Sequence, residues 1–223
     1  GYRPSMNLSD DENYMDIVML ITRNSMLRQG SMGCILVQPV QSDRVAVDVD
    51  IIDNTTHQNV VQDANTSTDR NTSNHYTNYI FNRIIAAANN TELFSSNESD
   101  IHAEINAIGQ VAKRQHYTAT DNDNGIQSNF STTLGATAYI TMPPCKKCFA
   151  ALYTCGIQRI VTRKPYHKHL IETASNVGIE LVSLSKEQFD NQKERMNDFF
   201  LARRVNNDTN IMSDRREILR RRK

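Results

Sequence analysis

The chain has 223 residues, which is enough for one sizeable hydrophobic core and short for two. Apolar residues make up 39% of it, and no run approaches the roughly 18 consecutive apolar residues that a membrane helix requires, so we expect a soluble protein with no membrane partner. Lysine plus arginine (25) balances aspartate plus glutamate (25), which argues against one broad nucleic-acid-binding surface. The balance is uneven, because residues 203–223 carry eight basic and three acidic groups.

The amino-terminal region predicts a polar lead-in followed by a helix. Residues 1–12 lack the apolar segment of a secretory signal, and we expect them to be disordered. From Asn13, apolar residues recur at helical spacing, with Ser9 and Asp10 available as N-cap residues.

Four cysteines are too few for a disulfide scaffold. We therefore expect a cytoplasmic or nuclear protein.

Two short apolar runs predict the first strands. Residues 34–37 are typical of a buried strand, and residues 79–86 predict a second strand. Between them, residues 41–78 are rich in Asn, Thr, Asp and Ser and poor in large apolar groups. Such a segment cannot bury enough surface to offset its ordering entropy, so we interpret it as a long surface insertion.

The second half alternates predicted helices and strands, interrupted by a polar insertion over residues 115–134. A strand–helix alternation of this kind favours a mixed sheet with helices on both faces. The predicted elements are a helix over 101–112, a strand over 136–141, a helix over 149–153, a strand over 159–161, a helix over 170–176, a strand over 179–182 and a long helix over 186–204.

Two short motifs carry the chemistry. A Cys-x-x-Cys pair, Cys145 and Cys148, begins a predicted helix directly after Pro144, which points both sulfurs at one spot. His102, at the start of another helix, can supply a third ligand, and three protein ligands leave a position open on Zn²⁺, as in catalytic sites. Glu104 can lie beside that position without binding the metal and can move protons.

The pattern H-x-E followed by P-C-x-x-C resembles the signature of the cytidine and deoxycytidylate deaminase superfamily. The resemblance covers roughly residues 14–184. It implies a three-layer α/β/α fold with a five-stranded mixed sheet, one zinc ion held by His102, Cys145 and Cys148, and hydrolytic deamination with Glu104 as the proton carrier. We expect a deaminase domain over 13–184, containing the two insertions, and a C-terminal helix with a basic tail over 185–223.

Other interpretations of the cysteines are open at this stage. Cys155 could complete a structural four-ligand zinc site, although it lies seven residues beyond Cys148. A redox role for the Cys-x-x-Cys pair would leave His102 and Glu104 unexplained. Cys34, in an apolar strand, is expected to be inert core.

The resemblance also implies substrate contacts. Asn90, or alternatively Asn89, would hydrogen-bond the sugar or base, and Arg28 would lie near a phosphate, for which an arginine fork is suited. Tyr166, in a Tyr-His element, would border the nucleotide. Ala103 and Pro144 complete the expected substrate-binding set. The plainer alternatives are a turn asparagine, a solvated helix-end arginine and a packed loop tyrosine.

Two substrate classes compete. The segment H-A-E-I-N-A-I, residues 102–108, is similar to deoxycytidylate deaminases and favours dCMP, a small-molecule nucleotide. The asparagine–threonine loop over 90–97 resembles that of tRNA adenosine deaminases, and the basic tail over 215–223 could bind RNA phosphates. The alternative function is therefore a nucleic-acid deaminase, either alone or as a subunit of a heteromer. A catalytically silent subunit is disfavoured because Glu104 is kept. The resemblance implies a homo-oligomer.

Overall fold

The computed structural model describes residues 2–23, 30–40, 68–94, 101–120 and 132–221. Contacts divide the chain into two compact units, one of residues 3–183 and one that runs from Leu184 and includes Tyr2. The elements in chain order are α1 (Asp10–Arg23), β1 (Gly33–Val37), α2 (Thr68–Asn82), β2 (Ile84–Asn89), α3 (Ala103–Thr120), β3 (Thr137–Ile140), α4 (Lys146–Thr154), β4 (Arg159–Thr162), α5 (Lys168–Val177), β5 (Glu180–Ser183) and α6 (Lys186–Arg221).

The strands of the larger unit form one mixed sheet in the order β2-β1-β3-β4-β5. β1 pairs antiparallel with both β2 and β3, whereas β3, β4 and β5 run parallel. The predicted five-stranded mixed sheet is therefore confirmed. Because β3 and β4 are parallel, the loops that follow their carboxyl ends leave the sheet at the same edge.

Helices cover both faces of this sheet, as the α/β/α interpretation predicted. Ala107 of α3, Leu152 of α4 and Ala174 of α5 belong to one core cluster on one face. On the opposite face, the Tyr14 ring of α1 packs 4.9 Å from the ring of Tyr139 in β3. The interior strand β1 is buried along its whole length, as expected for a strand covered on both sides.

The amino-terminal segment is ordered by its own polar side chains, so the expected disordered lead-in is wrong. The Ser9 hydroxyl accepts a bond from the Glu12 backbone N–H at 3.3 Å, and the Glu12 carboxylate accepts one from the Ser9 N–H at 3.2 Å. This reciprocal pair is a capping box, which fixes the start of α1 at Asp10, and the predicted Ser9 cap is confirmed. The side chain of Asn13 also binds the backbone of Ser5.

The predicted insertion and strand before β2 are partly wrong. Residues 68–82 form helix α2, so residues 79–81 are helical rather than extended, and β2 begins only at Ile84. Tyr76 and Tyr79, which lie about one turn apart, both bond the carboxylate of Asp10. These contacts hold a helix of low apolar content against α1. The remainder of the insertion, 41–67, and residues 121–131 of the second insertion lie outside the described residues.

The other helices are longer than predicted. α3 continues to Thr120 and α6 to Arg221, so both helices extend beyond the apolar portions from which they were predicted. In the smaller unit, Tyr2 meets Phe199 edge-on at 6.0 Å between ring centroids. No helix in the described part of the chain combines the length and the apolar character that crossing a membrane demands.

Candidate active site

Two helix starts bring the predicted ligands together. Cys145 is the N-cap of α4, and its sulfur accepts a 3.5 Å bond from the backbone N–H of Cys148 one turn later. His102 immediately precedes α3, and its carbonyl accepts the first helical bond of that helix, from Asn106. His102 Nδ1 lies 3.3 Å from Cys148 Sγ and 3.9 Å from Cys145 Sγ.

The three ligand atoms fit a tetrahedral zinc site. With zinc–sulfur bonds of about 2.3 Å and zinc–nitrogen bonds of about 2.0 Å, tetrahedral angles separate sulfur and nitrogen by about 3.5 Å. The two observed separations, 3.3 and 3.9 Å, bracket that value. Among the described residues these three form the one such group of potential metal ligands. Cys155 caps the other end of α4, about 10 Å along the helix from Cys148, so it is not a fourth ligand.

Glu104 is the feature of the site that packing alone does not explain. Its side chain is 0% exposed, and neither carboxylate oxygen has a hydrogen-bond partner in the described structure. Burial raises the pKa of its carboxyl above the ordinary value, and its own backbone N–H, the charge of His102 and the Cys148 thiol offset part of this rise. A buried carboxylate without a well-formed hydrogen bond is costly, which indicates that water or substrate supplies its partners.

Cys34 lies beneath the site as inert core, as predicted. It is fully buried in β1, and burial raises the pKa of its thiol well above the ordinary value. The charges of Glu104 and Cys148 add to that rise. All four cysteines of the chain are free, so no disulfide contributes to the fold.

The predicted Asn90 is buried and holds the loop before β1. Its Oδ1 accepts a 2.9 Å bond from the Met32 N–H, and its Nδ2 donates to the Gly30 carbonyl at 3.0 Å. The side chain therefore has a structural role at the end of β2, and its contact with substrate stays a prediction. Pro144 and Ala103, both buried, lie next to the ligands Cys145 and His102 in the chain.

The other two predicted substrate contacts are Tyr166 and Arg28. The Tyr166 hydroxyl donates to the carbonyl oxygens of Ile160 at 2.7 Å and Val182 at 3.1 Å, and its ring packs against the core. It thus joins β4 to β5, and its role beside a nucleotide stays a prediction. Arg28 lies outside the described residues, so its role as a phosphate ligand also stays a prediction.

Sequence reasoning missed a set of exposed lysines at the same edge of the sheet, which we call the lysine rim. Lys146 and Lys147 begin α4 directly after Cys145, Lys164 follows β4, and Lys168 begins α5. Only Lys168 has an acidic partner among the ion pairs described, Glu172 at 3.8 Å. The signal was present in the sequence, because residues 145–171 contain no aspartate or glutamate.

Comparison with known proteins agrees with this geometry. The family model for the cytidine and deoxycytidylate deaminase zinc-binding region matches residues 8–164. Deoxycytidylate deaminase of Enterobacteria phage T2 is 31% identical over 102 residues, 44% of this chain and 46% of that protein. The corresponding phage T4 enzyme is 31% identical over 108 residues, 47% of this chain and 48% of that protein. The chain spans about half the length of these curated relatives.

A solved structure also aligns with the chain. The apo dCMP deaminase of cyanophage S-TIM5 superimposes with a TM-score of 0.45 and 17% identity, over 78% of this chain and 96% of that one. The match of the family model spans more than half of the residues, and it includes the His102, Glu104, Cys145 and Cys148 motifs. The chain belongs to the cytidine and deoxycytidylate deaminase family.

Proposed function

We propose that this protein is a zinc-dependent hydrolytic deaminase of a cytosine nucleotide, with dCMP as the favoured substrate. The observation that carries the proposal is the buried, unpartnered carboxylate of Glu104 beside the cluster of His102, Cys145 and Cys148. A structural zinc site has no use for such a group, whereas hydrolysis requires a proton carrier close to the attacking water.

The three ligands His102, Cys145 and Cys148 would hold zinc and leave one position for water. When bound, zinc lowers the pKa of a water molecule to about 7 and so supplies a nucleophile at neutral pH. The start of α3 places Glu104 two residues beyond His102, on the same helix turn. The metal and the proton carrier therefore share one rigid element.

Glu104 moves the protons of the reaction. Deamination joins an oxygen from water to C4 of cytosine and breaks the bond from C4 to the exocyclic nitrogen. Glu104 takes a proton from the attacking water and delivers it to ring N3. It then transfers a second water proton to the exocyclic nitrogen, which leaves as ammonia while C4 becomes a carbonyl. Because Glu104 is 0% exposed, bulk water does not compete for these protons.

The lysine rim supports a phosphorylated substrate over a nucleoside. Its four side chains lie at the edge from which the ligand-bearing α4 begins. Two of the acidic residues with described ion pairs, Asp11 and Glu180, lie at the other end of β4, where both bind Arg159. A positive potential at the site entrance attracts anions and accelerates their association.

A nucleic-acid substrate is the second candidate, and the same rim favours it. Lysines at the starts of two helices, α4 and α5, offer more cationic groups than a single monophosphate needs. An RNA strand would use them along its backbone, with a strong dependence on salt. The homo-oligomer and the cytoplasmic or nuclear location remain predictions.

The test is a substrate panel with zinc-loaded protein. Ammonia release is measured with dCMP, CMP, cytidine, AMP, adenosine and a tRNA, and metal content is measured on the same sample. We expect turnover with dCMP, weaker turnover with cytidine and none with the adenine compounds. Deamination of the tRNA alone would replace the proposal with the nucleic-acid alternative, and no ammonia from any substrate would contradict both.

A further inference from the structure

The outer edge of β2 is closed by side chains of α3. β2 is the terminal strand of the described sheet, so no described strand pairs with the backbone groups on its outer side. Three side chains of α3 bond these backbone groups instead. The Gln110 amide makes two of the bonds, accepting from the Ala87 N–H at 3.3 Å and donating to the Ala87 carbonyl at 3.0 Å. The bonds run from Asn106 to Asn89, from Gln110 to Ala87 and from Arg114 to Ile85.

The spacing of these three residues matches the strand. They lie four residues apart, which is about 6.0 Å along a helix. The bonded strand residues lie two apart, which is about 6.8 Å along a strand. α3 runs opposite to β2, so each helical turn meets the next outward-facing strand residue. The ladder therefore fixes how far α3 lies along the sheet, and His102 is attached to the start of α3.

Asn106 differs from the other two members of the ladder. Its Nδ2 donates both to the Asn89 carbonyl, at 2.8 Å, and to the Thr91 hydroxyl. Thr91 in turn exchanges two backbone bonds with Ile101, at 2.9 and 3.1 Å, and Ile101 directly precedes His102. The backbone N–H of Asn106 also donates to the His102 carbonyl at 3.1 Å.

We propose that Asn106 is a positioning residue that holds the His102 ligand in register with the end of β2. One side chain joins the helix, the strand end that carries Asn90 and the Thr91–Ile101 bridge leading into His102. The inference rests on the metal role given to His102 under the proposed function. Gln110 makes comparable bonds one turn farther from the ligand, and it therefore contributes to stability without setting the geometry of the metal site.

The test compares Asn106→Ala with Gln110→Ala as its matched control. Thermal unfolding reports stability, chelator competition reports zinc affinity, and the visible spectrum of the cobalt-substituted protein reports ligand geometry. We expect both variants to unfold at lower temperature. Asn106→Ala should also weaken zinc binding by about tenfold or more, the effect typical of residues that orient metal ligands, and should alter the cobalt spectrum. Gln110→Ala should leave both metal properties unchanged.

Two further variants separate positioning from packing. Asn106→Leu keeps the approximate shape but has no donor, so it should behave like Asn106→Ala in metal binding. Combining Asn106→Ala with Thr91→Val should weaken zinc binding less than the sum of the two single effects, because both remove the same bond. Equal zinc affinity in Asn106→Ala and Gln110→Ala, or wild-type affinity in Asn106→Leu, would overturn the proposal. These readouts do not depend on the substrate, so failure of the substrate panel would leave them valid.

Discussion

Gly33 is required by the close approach of α1 to β1, and replacing it should destabilise the fold next to the site. A Cβ at this position would lie 2.5 Å from Thr22 Oγ1 and 2.8 Å from the Val18 carbonyl oxygen. The Thr22 hydroxyl is itself fixed, because it bonds that carbonyl at 2.8 Å and Thr141 Oγ1 at 3.0 Å. Thr141 in turn accepts a 2.8 Å bond from the Gly33 N–H. An added methyl group must therefore displace backbone or break this network.

We expect Gly33→Ala to lower the free energy of unfolding by about 2–4 kcal/mol. Overpacking a tight core contributes about 1–3 kcal/mol, and the loss of a buried hydrogen bond adds about 1 kcal/mol. Gly109→Ala is the matched control, because Gly109 lies within helix α3 and a Cβ there meets nothing within 4 Å. That substitution should stabilise the protein by about 0.5–1 kcal/mol.

Equilibrium urea denaturation of the two variants and the wild type measures these differences. The reasoning predicts shifts of opposite sign at the two glycines. A Gly33→Ala protein as stable as the wild type would show that α1 can move away from β1 at no cost in the free energy of unfolding. The close packing around Gly33 would then not contribute to stability.

Three further predictions concern the site and its supports. Glu104→Gln should retain stoichiometric zinc and lose about 10²–10⁴-fold in kcat, because the carboxylate moves protons and does not bind metal; loss of zinc from this variant would make Glu104 a ligand. Burial alone would raise the pKa of Asp11, but hydrogen bonds from Arg159 and Tyr139 hold that pKa below its ordinary value of 3.8. The ionised Asp11 therefore stabilises the fold above pH 3.8, and this stabilisation is lost as the pH falls through the folded-state pKa. Asp11→Asn should accordingly lower the free energy of unfolding by about 1–3 kcal/mol at pH 7, with a difference from wild type that shrinks below pH 4; a constant difference would contradict the assignment. Raising the salt concentration should lower kcat/KM for dCMP and leave that for cytidine unchanged, since the lysine rim acts on the phosphate; equal salt effects on both would argue against the rim.

Local sequence patterns predicted the sheet well because its strands are short apolar runs between turn residues. The runs at Cys34–Val37 and Ala136–Thr141 occupy β1 and β3, which are buried on both faces or nearly so. Helix α2 was missed for the opposite reason. Its stability comes from contacts of Tyr76 and Tyr79 with Asp10, which lies more than 60 residues away in sequence, and its composition resembles that of a polar loop.

The cluster of potential metal ligands was predictable because metal binding demands particular residue types at fixed spacing. His102, Cys145 and Cys148 meet as the motif implied. The hydrogen bonds of the Asn106 side chain were not predictable, since they depend on which backbone groups of β2 face outward. That arrangement is set by strand order and register, which no local pattern contains.

The prediction for Asn90 was limited in the same way, because local sequence does not show which distant backbone groups a side chain bonds. The sequence indicated an asparagine at the end of a strand near the zinc ligands, and the side chain is indeed buried there at 5% exposure. Its bonds to Gly30 and Met32 come from a segment about 60 residues earlier. Residue type alone could not distinguish a loop-holding amide from a substrate ligand.

The most direct measurement of the proposed activity is the fate of water oxygen. Zinc-loaded protein is incubated with dCMP in water enriched in oxygen-18, and the product is analysed by mass spectrometry, with the Glu104→Gln protein as the control. Hydrolytic deamination predicts dUMP that carries a single heavy oxygen on its uracil ring, formed by the wild type and nearly absent with the variant. Unchanged dCMP with the zinc-loaded wild type, or dUMP without heavy oxygen, would contradict hydrolysis of a cytosine nucleotide at this site.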